Sequence, residues 1–243
     1  MGMQPRNLIP GFLAAGPSAA SLPHPEMPPS AQRVVRAALR HAWDIVRAQA
    51  AAGELQAAAE PQLTAILQMT LNQLLDDDAE PVPGFSANDF ELVERGTESV
   101  NYNGTRLEKR PDLRFRLHSP VPRILDRTHY GLFVECKIVD QNHPLRRYVL
   151  EGIQRFIDGD YAWAMPHGMM LAYVRDESAT LDDVATFLNN ARATYGVAEV
   201  DLSTPPVESA RVLRSTHNRS WQYLASSNAP GAIELVHVWL SLN

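Results

Sequence analysis

Apolar residues recur at helical spacing in the first third of the chain and at strand spacing after it. The helical spacing predicts a helix from an N-cap at Ser30 to about Ala52, and a second helix from Pro61 to the acidic run at 76–78. Beyond the Pro/Gly turn at 81–84, we predict strands 90–94, 113–117, 132–139, 169–174, 210–213 and 233–240, with helices at 144–158 and from Ser178 or Thr180 to Tyr195. This order predicts one α/β domain in which a mixed central sheet is flanked by helices.

The N-terminal segment differs in composition from the rest of the chain. Residues 1–29 are rich in Pro, Ala, Gly and Ser and predict a flexible arm, which leaves 30–243 as a single domain. A secretory signal peptide is the competing interpretation, because a short apolar stretch follows Arg6; Pro10 and Gly11 interrupt that stretch.

Composition excludes several classes of protein. The 243 residues contain no apolar run of the roughly 18 residues that a membrane span needs, and the single cysteine excludes a disulfide framework and a multi-cysteine zinc site. The net charge is −6, yet residues 101–160 alone carry 11 basic and 8 acidic side chains. An anion-binding site is therefore expected in this middle segment.

Three charged residues of the middle segment are candidates for chemistry. Glu135 and Lys137 lie two apart in the predicted strand 132–139, so both point to one face while their apolar neighbours point to the other. Asp112 begins the preceding strand and shares its parity with Arg114 and Arg116. If the two strands pair with their polar faces aligned, two carboxylates and one amine converge.

Such a group suits a hard divalent cation, because carboxylate, carbonyl and water oxygens are ligands for Mg²⁺ or Mn²⁺. Lysine occurs only twice in the chain against 20 arginines, which favours a specific need for an amine at Lys137. A cationic neighbour would lower the pKa of that lysine, so we expect it to orient or deprotonate a water molecule. The alternative is a surface salt bridge between Glu135 and Lys137, which the apolar flanks of the strand disfavour.

Arg110-Pro111-Asp112 and Glu135-Cys136-Lys137, on a helix–three strands–helix–strand frame, resemble the PD-(D/E)xK nucleases of the restriction-endonuclease-like fold. The resemblance covers about residues 54–175. It implies that Asp112 and Glu135 bind Mg²⁺ or Mn²⁺ with the Cys136 carbonyl, and that Lys137 serves the attacking water.

The same resemblance implies further site residues. A glutamate from the first core helix would be Glu60, with Glu54 as the alternative and a plain helix cap as a third interpretation. Gln154 and Arg155 occupy the place of a polar or basic pair on the following helix, where Arg155 would hold a phosphate. The remaining candidates for contact with nucleic acid are Arg110, Arg114, Arg116, His217 and Arg219, although a polar loop is the favoured interpretation of the last two. His237 alternates with valines in the last predicted strand and is interpreted as a core histidine.

The residues and the resemblance together predict a Mg²⁺-dependent nuclease that acts on DNA in preference to RNA, in the bacterial cytoplasm. The resemblance alone implies a role in restriction or phage defence. A protein partner would supply specificity or ATP-driven control, and a homodimer would be the simple route to double-strand cuts. Two alternatives remain open: a non-catalytic nucleic-acid-binding or assembly module of the same fold, and a secreted DNase toxin.

Overall fold

A seven-stranded mixed sheet forms the centre of the protein. The computed structural model describes residues 22–106, 108–119, 127–204, 211–223 and 228–242. The strands are β1 (Glu94–Arg95), β2 (Leu113–Phe115), β3 (Leu132–Val139), β4 (His167–Val174), β5 (Val197–Ser203), β6 (Val212–His217) and β7 (Ile233–Ser241). They lie in the order β1-β2-β3-β4-β7-β6-β5; β3, β4 and β7 are parallel, and every other neighbouring pair is antiparallel.

Helices cover both faces of this sheet. They are α1 (Pro29–Gln49), α2 (Glu54–Ala57), α3 (Glu60–Leu75), α4 (Leu145–Tyr148), α5 (Gln154–Ile157) and α6 (Leu181–Asn190), and a π-helical turn (Val149–Ile153) joins α4 to α5. No described helix is both long enough and apolar enough to cross a membrane.

The alternation of side chains along β3 divides the core into two layers. Val134, Cys136 and Ile138 pack with α1 and α3 on one face. Phe133 and Val139 pack on the other face with the segment from α4 to α5 and with α6. Glu135 and Lys137 have the parity of this second face, so the strand delivers two charged groups beneath the α4–α5 segment.

The predicted fold class is confirmed as an α/β architecture with a mixed sheet flanked by helices. The strand at 132–139 is confirmed to the residue, and α3, β1, β2, β3, α4–α5 and β4 follow the predicted order. The N-cap prediction at Ser30 is wrong: α1 starts at Pro29, where the missing N–H costs nothing, and it ends at Gln49. The predicted strand 90–94 is reduced to one bridge, between Phe90 and Leu117, ahead of the short β1.

The structure bears on the predicted N-terminal arm and on the predicted strand 210–213 only in part, since some residues of each lie outside the described residues. Residues 1–21 of the predicted arm lie outside the described residues, whereas Met27 is fully buried and the backbone N–H of His24 donates to the Ala164 carbonyl at 2.7 Å. Residues 22–28 therefore pack against the domain. The predicted strand 210–213 begins at Val212 and continues to His217, and residue 210 itself is not described.

Candidate active site

The pairing of β2 with β3 brings the two motif carboxylates together. Leu113 lies opposite Val134, so this antiparallel register, extended by one residue, sets Asp112 opposite Glu135 on the same face. The Oδ2 atom of Asp112 accepts a hydrogen bond of 2.7 Å from the backbone N–H of Cys136. Burial raises the pKa of the Asp112 carboxyl, and the charge of Lys137 opposes this shift.

Glu135 is completely buried beneath the α4–α5 segment. Its Oε1 lies 2.7 Å from Lys137 Nζ and 2.8 Å from Arg155 Nη1, in ionic contacts without the geometry of a directed hydrogen bond. Burial and the nearby Asp112 carboxylate raise the pKa of Glu135 to about 7, and the two cations oppose the shift. A carboxyl with this pKa gains or loses a proton near neutral pH, which is typical of functional sites.

Tyr161 is a site residue that sequence reasoning missed, because it lies in the loop after α5, far from both motifs. Its hydroxyl donates a short hydrogen bond to Glu135 Oε2, and its side chain is fully buried. The two oxygens of Glu135 thus have different partners: the tyrosine holds one, and the cations surround the other. No local sequence signal distinguishes Tyr161 from the other buried aromatic residues.

The Lys137 ammonium lies at the centre of the cluster. Its Nζ donates to the Cys136 carbonyl at 2.8 Å and to Glu60 Oε1 at 3.1 Å, and it is 4.0 Å from Asp112 Oδ2. Burial lowers the pKa of the lysine, but the charges of Glu135, Glu60 and Asp112 outweigh burial and raise the pKa overall. The expectation of a lowered lysine pKa is therefore wrong, because three carboxylates, and no cation, dominate around Nζ. A protonated lysine can orient a water molecule but cannot deprotonate it.

Of the two candidate glutamates, only Glu60 reaches this cluster. It is the first residue of α3, and its Oε2 accepts from the backbone N–H of Ile138 at 3.3 Å while Oε1 contacts Lys137. Glu54 is exposed, and its Oε2 accepts from the backbone N–H of Ala51 at the start of α2.

Of the two site residues predicted on the helical segment after β3, only Arg155 contacts the cluster. The π-helical turn adds one residue to the helical turn ahead of α5, where Arg155 reaches Glu135. Gln154 instead donates to Asp158 at 2.7 Å, one turn further on, and does not join the cluster. Gly152 in the turn lies close to the sheet, since a β-carbon there would be 2.3 Å from Met170 Cε.

The arginines around Asp112 are each paired with a carboxylate. Arg110 pairs with Glu98 on the surface, and Arg114 and Arg116 both pair with Glu94 of β1. Each of the three positive charges has a carboxylate partner, and their contact with nucleic acid stays a prediction. The pairing of Arg114 and Arg116 follows from β1, which lies beside β2 and supplies Glu94.

His217 and Arg219 are not in a phosphate-binding loop, and the polar-loop interpretation is also wrong for His217. His217 is the last residue of β6 and is fully buried. Arg219 is buried too, and it donates to the carbonyls of Gly231, Trp163 and Pro230 at 2.8–3.3 Å. Both side chains hold the fold together instead of facing a substrate.

A buried chain of hydrogen bonds passes through His217. Its Nδ1 faces the Tyr195 carbonyl at 2.9 Å, so Nδ1 must carry the proton and Nε2 must accept from the Ser215 hydroxyl at 2.8 Å. Ser215 Oγ then accepts from His237 Nε2 at 2.8 Å, and His237 Nδ1 accepts from the Tyr148 hydroxyl at 2.8 Å. This assignment makes both imidazoles neutral and confirms the interpretation of His237 as a core histidine. The chain connects α4 to β6 and β7.

The donor set of the cluster fits a hard divalent cation. One oxygen each from Asp112, Glu135, Glu60 and the Cys136 carbonyl surrounds a single point, and oxygen ligands of this kind suit Mg²⁺ or Mn²⁺. The ammonium of Lys137 lies at that point. Within the described residues, no three carboxylate, imidazole or thiol side chains come close enough together to form a metal site.

No family model, no curated protein and no solved structure matches this chain. The residues of the cluster, and the strands and helices that bring them together, are therefore the basis for inferring a function.

Proposed function

We propose that the protein is a metal-dependent nuclease that hydrolyses the phosphodiester bonds of DNA, with a core arranged as in the restriction-endonuclease-like fold. The observation that carries the proposal is the convergence of Asp112, Glu135, Lys137 and Glu60. These residues come from β2, β3 and α3, and an oxygen of each carboxylate lies within 4.0 Å of the lysine Nζ.

The residues divide the chemistry between them. Asp112, Glu135 and the Cys136 carbonyl would hold Mg²⁺ or Mn²⁺, which supplies a water of lowered pKa and neutralises charge on the phosphoryl group. The protonated Lys137 would orient the attacking water and stabilise the negative charge that develops on phosphate. Arg155, whose side chain is 39% exposed, would hold a non-bridging phosphate oxygen while its other contact remains on Glu135.

The free-energy cost of burying the charged side chains of the cluster supports a catalytic role over a structural one. Three carboxylates with a lysine and an arginine lie in or beside the core, and buried ions of this kind are usually no more stabilising than apolar side chains of the same size. A purely structural ion pair would sit as well on the surface. A fully buried glutamate with a tyrosine and two cations around it is more typical of a site that must hold its geometry for a reaction.

The surroundings of the site support cleavage in preference to tight DNA binding. Arg110, Arg114 and Arg116 are each paired with a carboxylate, which reduces the net positive charge that they offer to DNA. We therefore propose weak intrinsic affinity for DNA, with a protein partner supplying specificity, in restriction or phage defence in a bacterial cytoplasm. A stand-alone nucleic-acid-binding module would need open cations at this surface.

Incubation of purified protein with supercoiled plasmid and linear duplex, in Mg²⁺, Mn²⁺ or EDTA, tests the proposal. Wild type should nick or degrade DNA only with metal, and Lys137→Ala should be inactive. Lys109→Ala is the matched control, since Lys109 is the other lysine of the chain and pairs with Asp160 at 2.6 Å. Equal cleavage by wild type and Lys137→Ala, or none by wild type in any metal, would contradict the proposal.

A further inference from the structure

The ammonium of Lys137 has the surroundings of a bound cation. It contacts Glu135 Oε1 at 2.7 Å, the Cys136 carbonyl at 2.8 Å and Glu60 Oε1 at 3.1 Å, and Asp112 Oδ2 is 4.0 Å away. We call these four oxygens the oxygen cage. Every carboxylate of the cluster turns at least one oxygen toward the same point, and the lysine side chain is only 9% exposed.

The cage contains the same atoms that would hold a divalent cation. Asp112 and Glu135 supply two of them, and the Cys136 carbonyl supplies a third. A metal ion at bonding distance from these oxygens would lie within a few ångströms of the ammonium, where two like charges repel strongly in a partly buried site. The ammonium and the metal therefore cannot occupy the cage together.

We infer that Lys137 is an internal placeholder, whose ammonium competes with the divalent cation for the oxygen cage and must withdraw before metal binds. This inference rests on the proposed function, because it concerns the metal of that same site. When no metal is present, the positive charge of the ammonium offsets the electrostatic repulsion between the three carboxylates. Metal binding is then coupled to displacement of the lysine, and the displaced ammonium is available to the phosphate and the water.

The side of the cage that lies toward Glu60 and Asp112 offers the route for withdrawal. These two side chains are each 29% exposed, whereas Glu135 is fully buried. Lysine has four methylene groups, so its ammonium can move outward between Glu60 and Asp112 without any change in β3. Arg155 remains on Glu135 and keeps that carboxylate paired during the exchange.

Metal affinity distinguishes this role from that of an ordinary lysine in a metal site. Titration calorimetry with Mg²⁺ is carried out on wild type, Lys137→Met, Lys137→Arg and the control Lys109→Met. Removal of the competing charge should tighten Mg²⁺ binding by about tenfold or more, because the binding-competent state is then always populated. Lys137→Arg should bind no more tightly than wild type, and Lys109→Met should bind as wild type does. An unchanged or weakened affinity of Lys137→Met would overturn the inference.

Since the chain has only two lysines, NMR of protein labelled at the lysine ε-carbons provides a second measurement on the wild type itself. Addition of Mg²⁺ should shift the Lys137 signal and leave the Lys109 signal unchanged as an internal control. A stationary Lys137 signal in protein that binds Mg²⁺ would overturn the placeholder role and leave the nuclease proposal intact. Failure of every variant to bind Mg²⁺, together with absence of plasmid cleavage, would overturn both.

Discussion

Ser215→Ala tests the buried hydrogen-bond chain that connects α4 to the C-terminal strands. The Ser215 hydroxyl contacts His217 Nε2 and His237 Nε2 at 2.8 Å each, and all three side chains are at most 1% exposed. Alanine removes both contacts with almost no change in volume. The variant therefore leaves two imidazole nitrogens buried without a hydrogen-bond partner.

The expected loss follows from the number of groups left without partners. A buried polar group that loses its partner costs about 1–3 kcal/mol, so two such groups predict a loss of about 2–6 kcal/mol in the free energy of unfolding. This is a large fraction of the stability of an ordinary domain, roughly 5–15 kcal/mol. Urea unfolding followed by tryptophan fluorescence measures the difference, since the chain has four tryptophans.

Ser220→Ala is the matched control, because Ser220 is exposed three residues after β6 ends. Its free energy of unfolding should stay within about 0.5 kcal/mol of wild type. If Ser215→Ala were as stable as the control, the two imidazoles would have to find other partners in the folded protein. The tautomers assigned to His217 and His237 would then be refuted.

Three further substitutions probe other parts of the structure. Gly159→Ala should destabilise the protein by about 2 kcal/mol more than Gly53→Ala in urea unfolding. Both glycines have positive φ (68° and 79°), but only at Gly159 would a β-carbon lie 2.8–2.9 Å from two aromatic side chains. Equal losses would contradict this steric reason. Neither ring nitrogen of the buried His167 has a partner in the described part of the chain, and burial lowers its pKa to about 4. Because the unfolded chain binds this proton near pH 6.5, wild type should lose stability as pH falls from 6.5 toward 4. His167→Leu should lack that component in thermal unfolding, and an identical pH dependence would argue against it. Tyr161→Phe removes the hydroxyl that donates a hydrogen bond to Glu135. The variant should nick plasmid about tenfold or more slowly than wild type and lose about 1–2 kcal/mol in the free energy of unfolding. An unchanged rate would show that this hydrogen bond does not position Glu135 for catalysis.

The sequence predicted the centre of the fold better than its edges. β3 could be located to the residue, because its apolar flanks fix the strand and the two-residue period fixes which face holds Glu135 and Lys137. β5 was not predicted, since most of its side chains are exposed or half-exposed and its pairing depends on β6. An edge strand of this kind has no apolar pattern to identify it.

Strand parity predicts only those site residues that lie on, or next to, the paired strands β2 and β3. Asp112, Glu135 and Lys137 follow from parity and from the pairing of two neighbouring strands. The partners of the arginines could not be predicted, because Glu94 meets Arg114 only through the pairing of β1 with β2. Contacts across 20 or more residues between polar side chains leave no periodic signal in a single sequence.

The nicking rate of supercoiled plasmid by Asp112→Asn in Mg²⁺, beside wild type prepared identically, is the most direct test of the central claim. Asparagine keeps the size of the side chain and removes its charge, so the fold should persist, as unfolding in urea would verify. If Asp112 belongs to the active site, the rate should fall by at least about 100-fold, the low end of the effect of removing one group that stabilises transition-state charge. Nicking by the folded variant at the wild-type rate would contradict the assignment of this cluster as the active site.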